Sequence, residues 1–334
     1  MSKAKRMRSS KAVLAAVLCL FVWQARGAAQ EAPLDVAKSA YEKGDYPKAI
    51  EILKNAATQE PANGEIELLL AKSYLESNQY DNAVSSAERA VAVDPKNSAY
   101  HQWLGEADGG KADHVSMLSA YSWARKTQKE FEIAVRLNER NFDAVQDLIE
   151  YDCTAPSMVG GGEDKAQPLI QKLMSLDAAE GHFGAGVCKA VKKDYAGADA
   201  EYAKALENKP KTADRIYDIG DYFLQRGQGE KLLEAAAAGA ALAPSDPRGK
   251  YYRAVGWILK GEKYPDAEKQ LREYLAAGPF RSTYPNPWDA HYWLGRLNAA
   301  QKNTAGAKSE YQEALKLNPK FKRAQEALKQ LGGQ

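Results

Sequence analysis

Histidine and cysteine, the residues on which most metal sites and many nucleophilic sites depend, are scarce in this sequence. Its 334 residues include four histidines and three cysteines. The histidines are spread along the chain, with no pair at the spacing of metal ligands and no nearby pair of cysteines. No serine stands in the Gly-x-Ser-x-Gly turn that presents a nucleophile. The sequence therefore predicts no metal ion, no cofactor and no catalytic residue, and it favours a protein that is not an enzyme.

A usable phosphate-binding loop is also missing. The glycine run at 160–162 precedes a predicted helix, but its lysine, Lys165, is separated from the glycines by Glu163 and Asp164. Two acids in that place would repel a phosphate group. We therefore expect a plain loop between helices rather than an anion site.

The segment at 1–29 differs in composition from everything that follows. It contains six basic residues and no acidic one, and its apolar run at 12–23 is short for a permanent membrane span. This order is typical of a secretory signal peptide. We therefore expect a signal peptide at 1–29 and an exported mature protein, periplasmic or secreted. The alternative is an uncleaved leader, which would then be the chain's only membrane contact.

Removal of this leader changes the charge and the cysteine count. It leaves 40 basic residues against 44 acidic ones, a net charge of −4, so nothing favours nucleic acid as a partner. It also leaves two cysteines, Cys153 and Cys188, in a compartment that we expect to be oxidising. The two can form a disulfide or remain as buried free thiols, and spacing alone does not decide between these outcomes.

The remainder of the chain repeats itself at a fixed period. The segment KGDYPKA at 43–49 returns as SNQYDNA at 77–83, and Pro61 is followed by Pro95 at the same distance. Within the best copies, apolar residues fall three and four positions apart until a proline ends the helix. A fixed period of 34 residues predicts stacked pairs of helices.

The first helix of each unit has its own signature. The tripeptide Trp-Leu-Gly occurs at 103–105 and again at 293–295. We expect the small residue to let two helices approach closely, with an aromatic residue three positions on filling the adjoining space. These features resemble the tetratricopeptide repeat. The resemblance covers nearly the whole mature chain and implies an all-α, right-handed superhelical solenoid of about eight helix-turn-helix repeats with a C-terminal capping helix.

On these positions the solenoid is predicted to span 30–334. The predicted repeats lie at 30–63, 64–97, 98–140, 141–178, 179–212, 213–247, 248–287 and 288–320, with the capping helix at 321–331. Insertions are expected at about 108–124, 152–162 and 279–287. The third insertion contains three prolines, which predicts an ordered segment without helix.

The resemblance implies a scaffold or adaptor that holds a partner protein or peptide, of unspecified identity, in a concave groove lined by the first helices. Cell-envelope assembly or transport is the expected setting. The candidate groove residues are Leu68, Lys72, Phe183, Val187, Tyr217, Asp221, Tyr252, Tyr292 and Arg296. For each of them the competing interpretation is that the side chain packs against the next repeat.

Two other classes of function compete with this one. An enzyme could have its site in the irregular region 108–162, with Cys153 or His114 as the reacting residue. A structural protein could self-associate as a homo-oligomer through exposed repeat ends.

Overall fold

The computed structural model describes residues 32–279 and 281–332, which contain seventeen α-helices and no strand. The predicted signal peptide at 1–29 lies outside the described residues. The helices are α1 Pro33–Glu42, α2 Tyr46–Gln59, α3 Gly64–Glu76, α4 Tyr80–Val93, α5 Ser98–Ala112, α6 Met117–Leu137, α7 Phe142–Thr154, α8 Glu163–Leu176, α9 Ala178–Val191, α10 Tyr195–Glu207, α11 Ala213–Gln225, α12 Gly229–Leu242, α13 Arg248–Lys260, α14 Tyr264–Ala277, α15 Pro287–Ala300, α16 Thr304–Leu317 and α17 Lys322–Gly332.

The helices form eight successive pairs followed by the single helix α17. The odd-numbered helices up to α15 are the first helices of these pairs, and the even-numbered helices are the second helices. First helices contact the first helix of the next pair at most steps, whereas α10 and α12 show the corresponding contact between second helices. The first helices therefore lie on the inside of the curve. The predicted all-α repeat solenoid is confirmed.

The turn inside most pairs is made by a residue with a left-handed backbone. Gly44, for example, has φ 71° and Asn78 has φ 57°. Glycine adopts this conformation without steric cost, and asparagine tolerates it better than most residues. The following residues then begin the second helix, as where the Asp45 side chain accepts a hydrogen bond from the backbone N–H of Lys48. The turn therefore ends one helix and starts the next within a few residues.

Close packing within a pair depends on glycine in the first helix. A Cβ atom added at Gly105 would lie 2.5 Å from the Phe131 ring, and one added at Gly186 would lie 2.9 Å from the Tyr202 ring. The same arrangement brings Gly295 against Tyr311. At these three positions the aromatic ring comes from the second helix, and not from three residues further along the first.

The irregular third and fourth pairs absorb their extra residues in different ways. The third pair extends its helices, so that α5 has 15 residues and α6 has 21. The fourth pair has a 3-10 turn at Ser157–Val159 between α7 and α8. Gln128 donates a hydrogen bond to the Gly160 carbonyl at 2.8 Å, and Lys165 donates to the same oxygen. The Lys165 ammonium therefore contacts a carbonyl oxygen of the loop itself.

Polar contacts link the buried parts of the third, fourth and fifth pairs. Asn141 donates to the Ser98 hydroxyl at 2.9 Å, and Gln146 donates to the Glu180 carbonyl at 2.8 Å. By contrast, the largest apolar cluster among the described residues spans α9 to α17. Buried hydrogen bonds of this kind fix one arrangement of neighbouring helices, because a slipped arrangement would leave their polar atoms unpaired.

A disulfide joins the fourth pair to the fifth. Cys153 in α7 is bonded to Cys188 in α9, with Cα atoms 5.3 Å apart, well within the range that a disulfide spans. Of the two outcomes left open for these cysteines, the structure has the disulfide. Within residues 32–279 and 281–332, no helix has the length and apolar character needed to cross a membrane.

Candidate partner-binding groove

The first helices enclose a shared space, and we call the side chains that face it the inner surface. Charged groups from distant repeats meet there. The guanidinium of Arg215 in α11 lies 3.1 Å from the carboxylate of Asp143 in α7. Arg281, which follows α14, lies 3.4 Å from Glu42 in α1 and 3.6 Å from Asp214 in α11. A space bounded by helices so far apart in the chain is the natural place for a partner to dock.

All four aromatic residues predicted to line the groove are instead buried between repeats. Tyr217 and Tyr252 are each 1% exposed, and Phe183 and Tyr292 are each 8% exposed. The Tyr217 and Tyr252 rings stack at 5.2 Å, and the Tyr252 hydroxyl donates to Asp221 at 2.7 Å. The groove prediction is corrected for these four rings, since they hold neighbouring first helices together and offer no open surface.

The other predicted groove residues keep part of their surface open. Leu68 and Val187 are half-buried. The Lys72 ammonium lies 4.3 Å from the centre of the Trp103 ring, and burial lowers its pKa. The Arg296 guanidinium is exposed beside the Trp293 ring at 5.3 Å.

Sequence reasoning missed a set of arginines that cover the buried rings. Arg215 lies over Phe183 at 4.2 Å and Arg248 over Tyr217 at 4.5 Å, each from the repeat that follows the ring. Arg323, on the final helix α17, lies over Tyr292 at 5.1 Å. A guanidinium over an aromatic face is attracted by the ring's negative surface. The spacing of Arg215 and Arg248, close to one repeat, was the available signal.

Acidic side chains line a cavity in the irregular region. A cavity of about 550 Å³ lies between α5, α6 and α7, and Glu106, Asp147 and Glu150 contribute to its wall. Burial raises the pKa of Glu106 and of Asp147, and the negative charge of neighbouring carboxylates raises both further. Gln102 donates to Asp147 at 2.8 Å and partly offsets this effect. A cation would be favoured in such a place.

A second acidic group lies on α11. Burial raises the pKa of Asp218 to about 6; Arg215 opposes this shift, while Asp221 and Asp214 add to it. Burial also raises the pKa of Asp221, although the hydrogen bond from Tyr252 opposes it. The inner surface thus carries carboxyl groups whose ionised form is disfavoured by burial and would be stabilised by a nearby cation.

In the irregular region 108–162, both candidate residues for an enzyme site are engaged with other groups. Cys153 is in the disulfide with Cys188, so it carries no thiolate that could attack a substrate. The His114 ring stacks on Tyr80 at 4.2 Å, and its Nδ1 lies 2.8 Å from the Gly110 carbonyl oxygen. Among the described residues, no three His, Cys, Asp or Glu side chains are arranged to hold a metal ion.

The other three histidines bridge the two helices of a pair. Each places its Nδ1 near a glutamate of the second helix: His101 with Glu130 at 2.6 Å, His182 with Glu201 at 2.7 Å, and His291 with Glu310 at 2.7 Å. The equal sequence separation of the last two pairs was a signal that sequence reasoning did not use. These contacts act in packing.

The helix pairs and the inner surface define a class of helical repeat scaffold. The chain contains tetratricopeptide repeats: sequence models of this repeat match residues 40–106 and 259–320. Repeats of this family generally mediate binding to protein partners, and the fold is typically a scaffold without catalysis. No curated protein matches the sequence.

Several solved structures from other organisms are similar to this chain. Yeast Tom70 is 11% identical with a TM-score of 0.56, over 92% of this chain and 65% of that one. A thermophilic tetratricopeptide-repeat protein of Thermus thermophilus is 22% identical with a TM-score of 0.47, over 57% of this chain and 97% of that one. One from Parabacteroides merdae is 14% identical with a TM-score of 0.41, over 90% and 97%. The likeness to Tom70, at 11% identity, shows similarity of fold alone.

Proposed function

We propose that this protein is an exported, non-enzymatic scaffold that holds a partner protein or peptide against the acidic inner surface, in cell-envelope assembly or transport. The observation that carries the proposal is the set of carboxyl side chains gathered on the first helices, such as Glu106, Asp147 and Asp218, whose pKa values are raised by burial. Burial and neighbouring carboxylates disfavour the charged form of these groups, and a cationic partner would stabilise it.

Two features support export. The segment at 1–29 has the composition of a secretory leader. The disulfide between Cys153 and Cys188 would persist in an oxidising compartment such as the periplasm, and would be reduced in most cytosols. Both features are independent of the repeat architecture.

Site-specific photocrosslinking tests partner binding. A photoreactive amino acid in place of Lys72 reports on the inner surface, and one in place of Lys308 on the second helix α16 is the matched control, since that side chain is exposed. We expect a discrete crosslinked partner from position 72 and none from position 308. Absence of any partner from position 72, or equal yields from both, would reject the proposal.

Cell fractionation with thiol labelling tests export. We expect the mature chain outside the cytosol, with Cys153 and Cys188 resistant to alkylation until a reductant is added. A full-length chain in the cytosol with two alkylated cysteines would reject export while leaving partner binding open to the crosslinking test.

Self-association is a second candidate function, favoured by exposed apolar side chains at the start of α6. Met117 is 88% exposed and Leu118 is 92% exposed. Burial of such side chains in a contact between copies would be favourable. Light scattering over a concentration range distinguishes the candidates: a mass above one chain that Leu118→Ser lowers would support self-association, and a monomer throughout would remove it.

A further inference from the structure

The predicted insertion between the seventh and eighth pairs does not project into solvent but returns to the first repeats. The backbone N–H of Ser282 donates to the Tyr46 hydroxyl oxygen at 2.8 Å, a contact across 236 residues of sequence. The Ser282 hydroxyl also donates to the carboxylate of Glu76. Residues 281–286 contain no helix. The insertion therefore lies inside the curve of the solenoid, where a partner would otherwise bind.

Arg281 makes the charged part of this contact. Its guanidinium lies 3.4 Å from Glu42 and 3.6 Å from Asp214, and it sits 5.2 Å from the centre of the Tyr284 ring. The side chain of Arg281 is 20% exposed, but those of Glu42 and Asp214 are 60% and 62% exposed. Ion pairs this open to water are weak.

The contact is also incomplete. The Nε atom of Arg281 is buried and finds no hydrogen-bond partner among the described residues. Asp214 is shared, because Arg248 already lies 2.6 Å from its carboxylate. A segment held by weak and incomplete contacts can be displaced by a competitor that satisfies the same groups better.

The surface beneath the insertion is built for a guanidinium and for a hydrogen-bonding backbone. Tyr41 and Tyr46 are buried to 8% and 9% exposure, with ring centres 5.5 Å apart. Glu76 lies beside them, and burial raises its pKa, while Arg281 and hydrogen bonds from both tyrosines oppose the rise. The site thus combines carboxylates with the Tyr46 hydroxyl, which accepts a hydrogen bond from a peptide N–H.

We infer that the surface formed by Tyr41, Glu42, Tyr46, Glu76 and Asp214 is the docking site for an extended, arginine-bearing segment of the partner, and that residues 281–284 of this chain occupy it until the partner displaces them. The inference rests on the proposed function, and it names the chemistry of the bound segment. The chain's own RSTY at 281–284 is the template for that chemistry.

A peptide-binding experiment on the full mature chain tests this inference. The probe is a fluorescently labelled peptide RSTYPNP, which copies residues 281–287. The variant Arg281→Ala loosens the internal competitor. We expect the probe to bind this variant about tenfold more tightly than the unaltered chain, because a tethered segment competes at high effective concentration.

Three comparisons make the test specific. Adding Glu42→Gln to Arg281→Ala should weaken probe binding by about two- to fivefold, since an acceptor of the guanidinium is lost. Arg272→Ala is the matched control: this arginine on α14 is 51% exposed and pairs with Glu268 and Glu310, away from the site. It should leave the affinity unchanged. A probe with glutamine in place of its arginine should not bind.

Equal affinity of the probe for the unaltered chain and for Arg281→Ala, or undiminished binding of the glutamine probe, would overturn the inference. So would dimers that form through exchange of the insertion between copies and disappear in Arg281→Ala. Circular dichroism establishes that each variant is folded, and Glu42→Gln, at an exposed position, tests the same site without altering the insertion. Crosslinks from position 72 that persist while the probe fails to bind would overturn this inference alone; loss of both would also remove the proposed function.

Discussion

The ion cluster around Arg215 should be among the most costly places to alter. Its side chain is 10% exposed and lies 3.0 Å from the carboxylate of Glu180, which is 9% exposed. Removing one partner of a buried ion pair leaves the other charge uncompensated and costs about 3–5 kcal/mol. Gln146 still donates to Glu180 at 2.9 Å, so we expect Arg215→Met to lower the free energy of unfolding by about 3 kcal/mol.

A double-mutant cycle measures how much of this loss belongs to the pair. Urea unfolding, followed by circular dichroism, is compared for Arg215→Met, Glu180→Gln and the double variant. We expect the double variant to be more stable than the sum of the single losses by about 2 kcal/mol. Asp143→Asn is the matched control, because this second acid of the cluster is 76% exposed, and its loss should cost less than about 1 kcal/mol.

Strictly additive single losses, or an Arg215→Met loss below about 1 kcal/mol, would refute this account of the cluster. Repeat arrays can unfold in parts, so hydrogen exchange supplies a local measurement. Exchange should accelerate in α9 and α11, which carry Glu180 and Arg215. It should stay unchanged in α16, which belongs to the last pair.

Three further predictions concern single contacts. Replacing Cys153 and Cys188 by alanine should lower the free energy of unfolding by about 2–4 kcal/mol in urea, since their bond closes a loop across 35 residues; the loss should vanish if both chains are compared under reductant. Gly186→Ala places a Cβ 2.9 Å from the Tyr202 ring, and should cost about 1–3 kcal/mol and lower Tm. Burial raises the pKa of Glu310, but the hydrogen bond and charge of its histidine partner hold it below the ordinary value of 4.5. This carboxylate therefore stabilises the fold above pH 4.5 and loses its contribution as the pH falls through the lower folded-state pKa, and Glu310→Gln should flatten the acid side of the stability profile.

The repeat architecture could be predicted because its signals are local. Gly44 and Asn78 mark the same turn in two successive repeats, and a few neighbouring residues determine each turn. Glycines such as Gly105 indicate that two helices approach closely, and any aromatic ring of the right size can fill the space beside the glycine. Local signals repeated many times give a fold, even where individual repeats such as the third are distorted.

The inner surface could not be predicted to the same degree, because burial depends on how successive pairs are rotated. Tyr217 and Tyr252 lie at first-helix positions that can face either the groove or the next repeat, and a small rotation decides between the two. The contact of Ser282 with Tyr46 crosses nearly the whole array and has no local signal. The pairing of Cys153 with Cys188 depends on the same rotation.

The contact between Ser282 and Tyr46 affects the expected stiffness of the array. In a solenoid whose repeats contact only their neighbours, the two ends are not linked to each other, and the terminal repeats can unfold separately from the rest. Here the insertion links the first pair to the end of the seventh, while Arg281 adds α11 through Asp214. The first repeats are therefore coupled to the later ones through the space that a partner would enter. A partner that displaces the insertion would both gain a binding surface and release this coupling, so binding and the stiffness of the array are expected to be linked through the same few side chains.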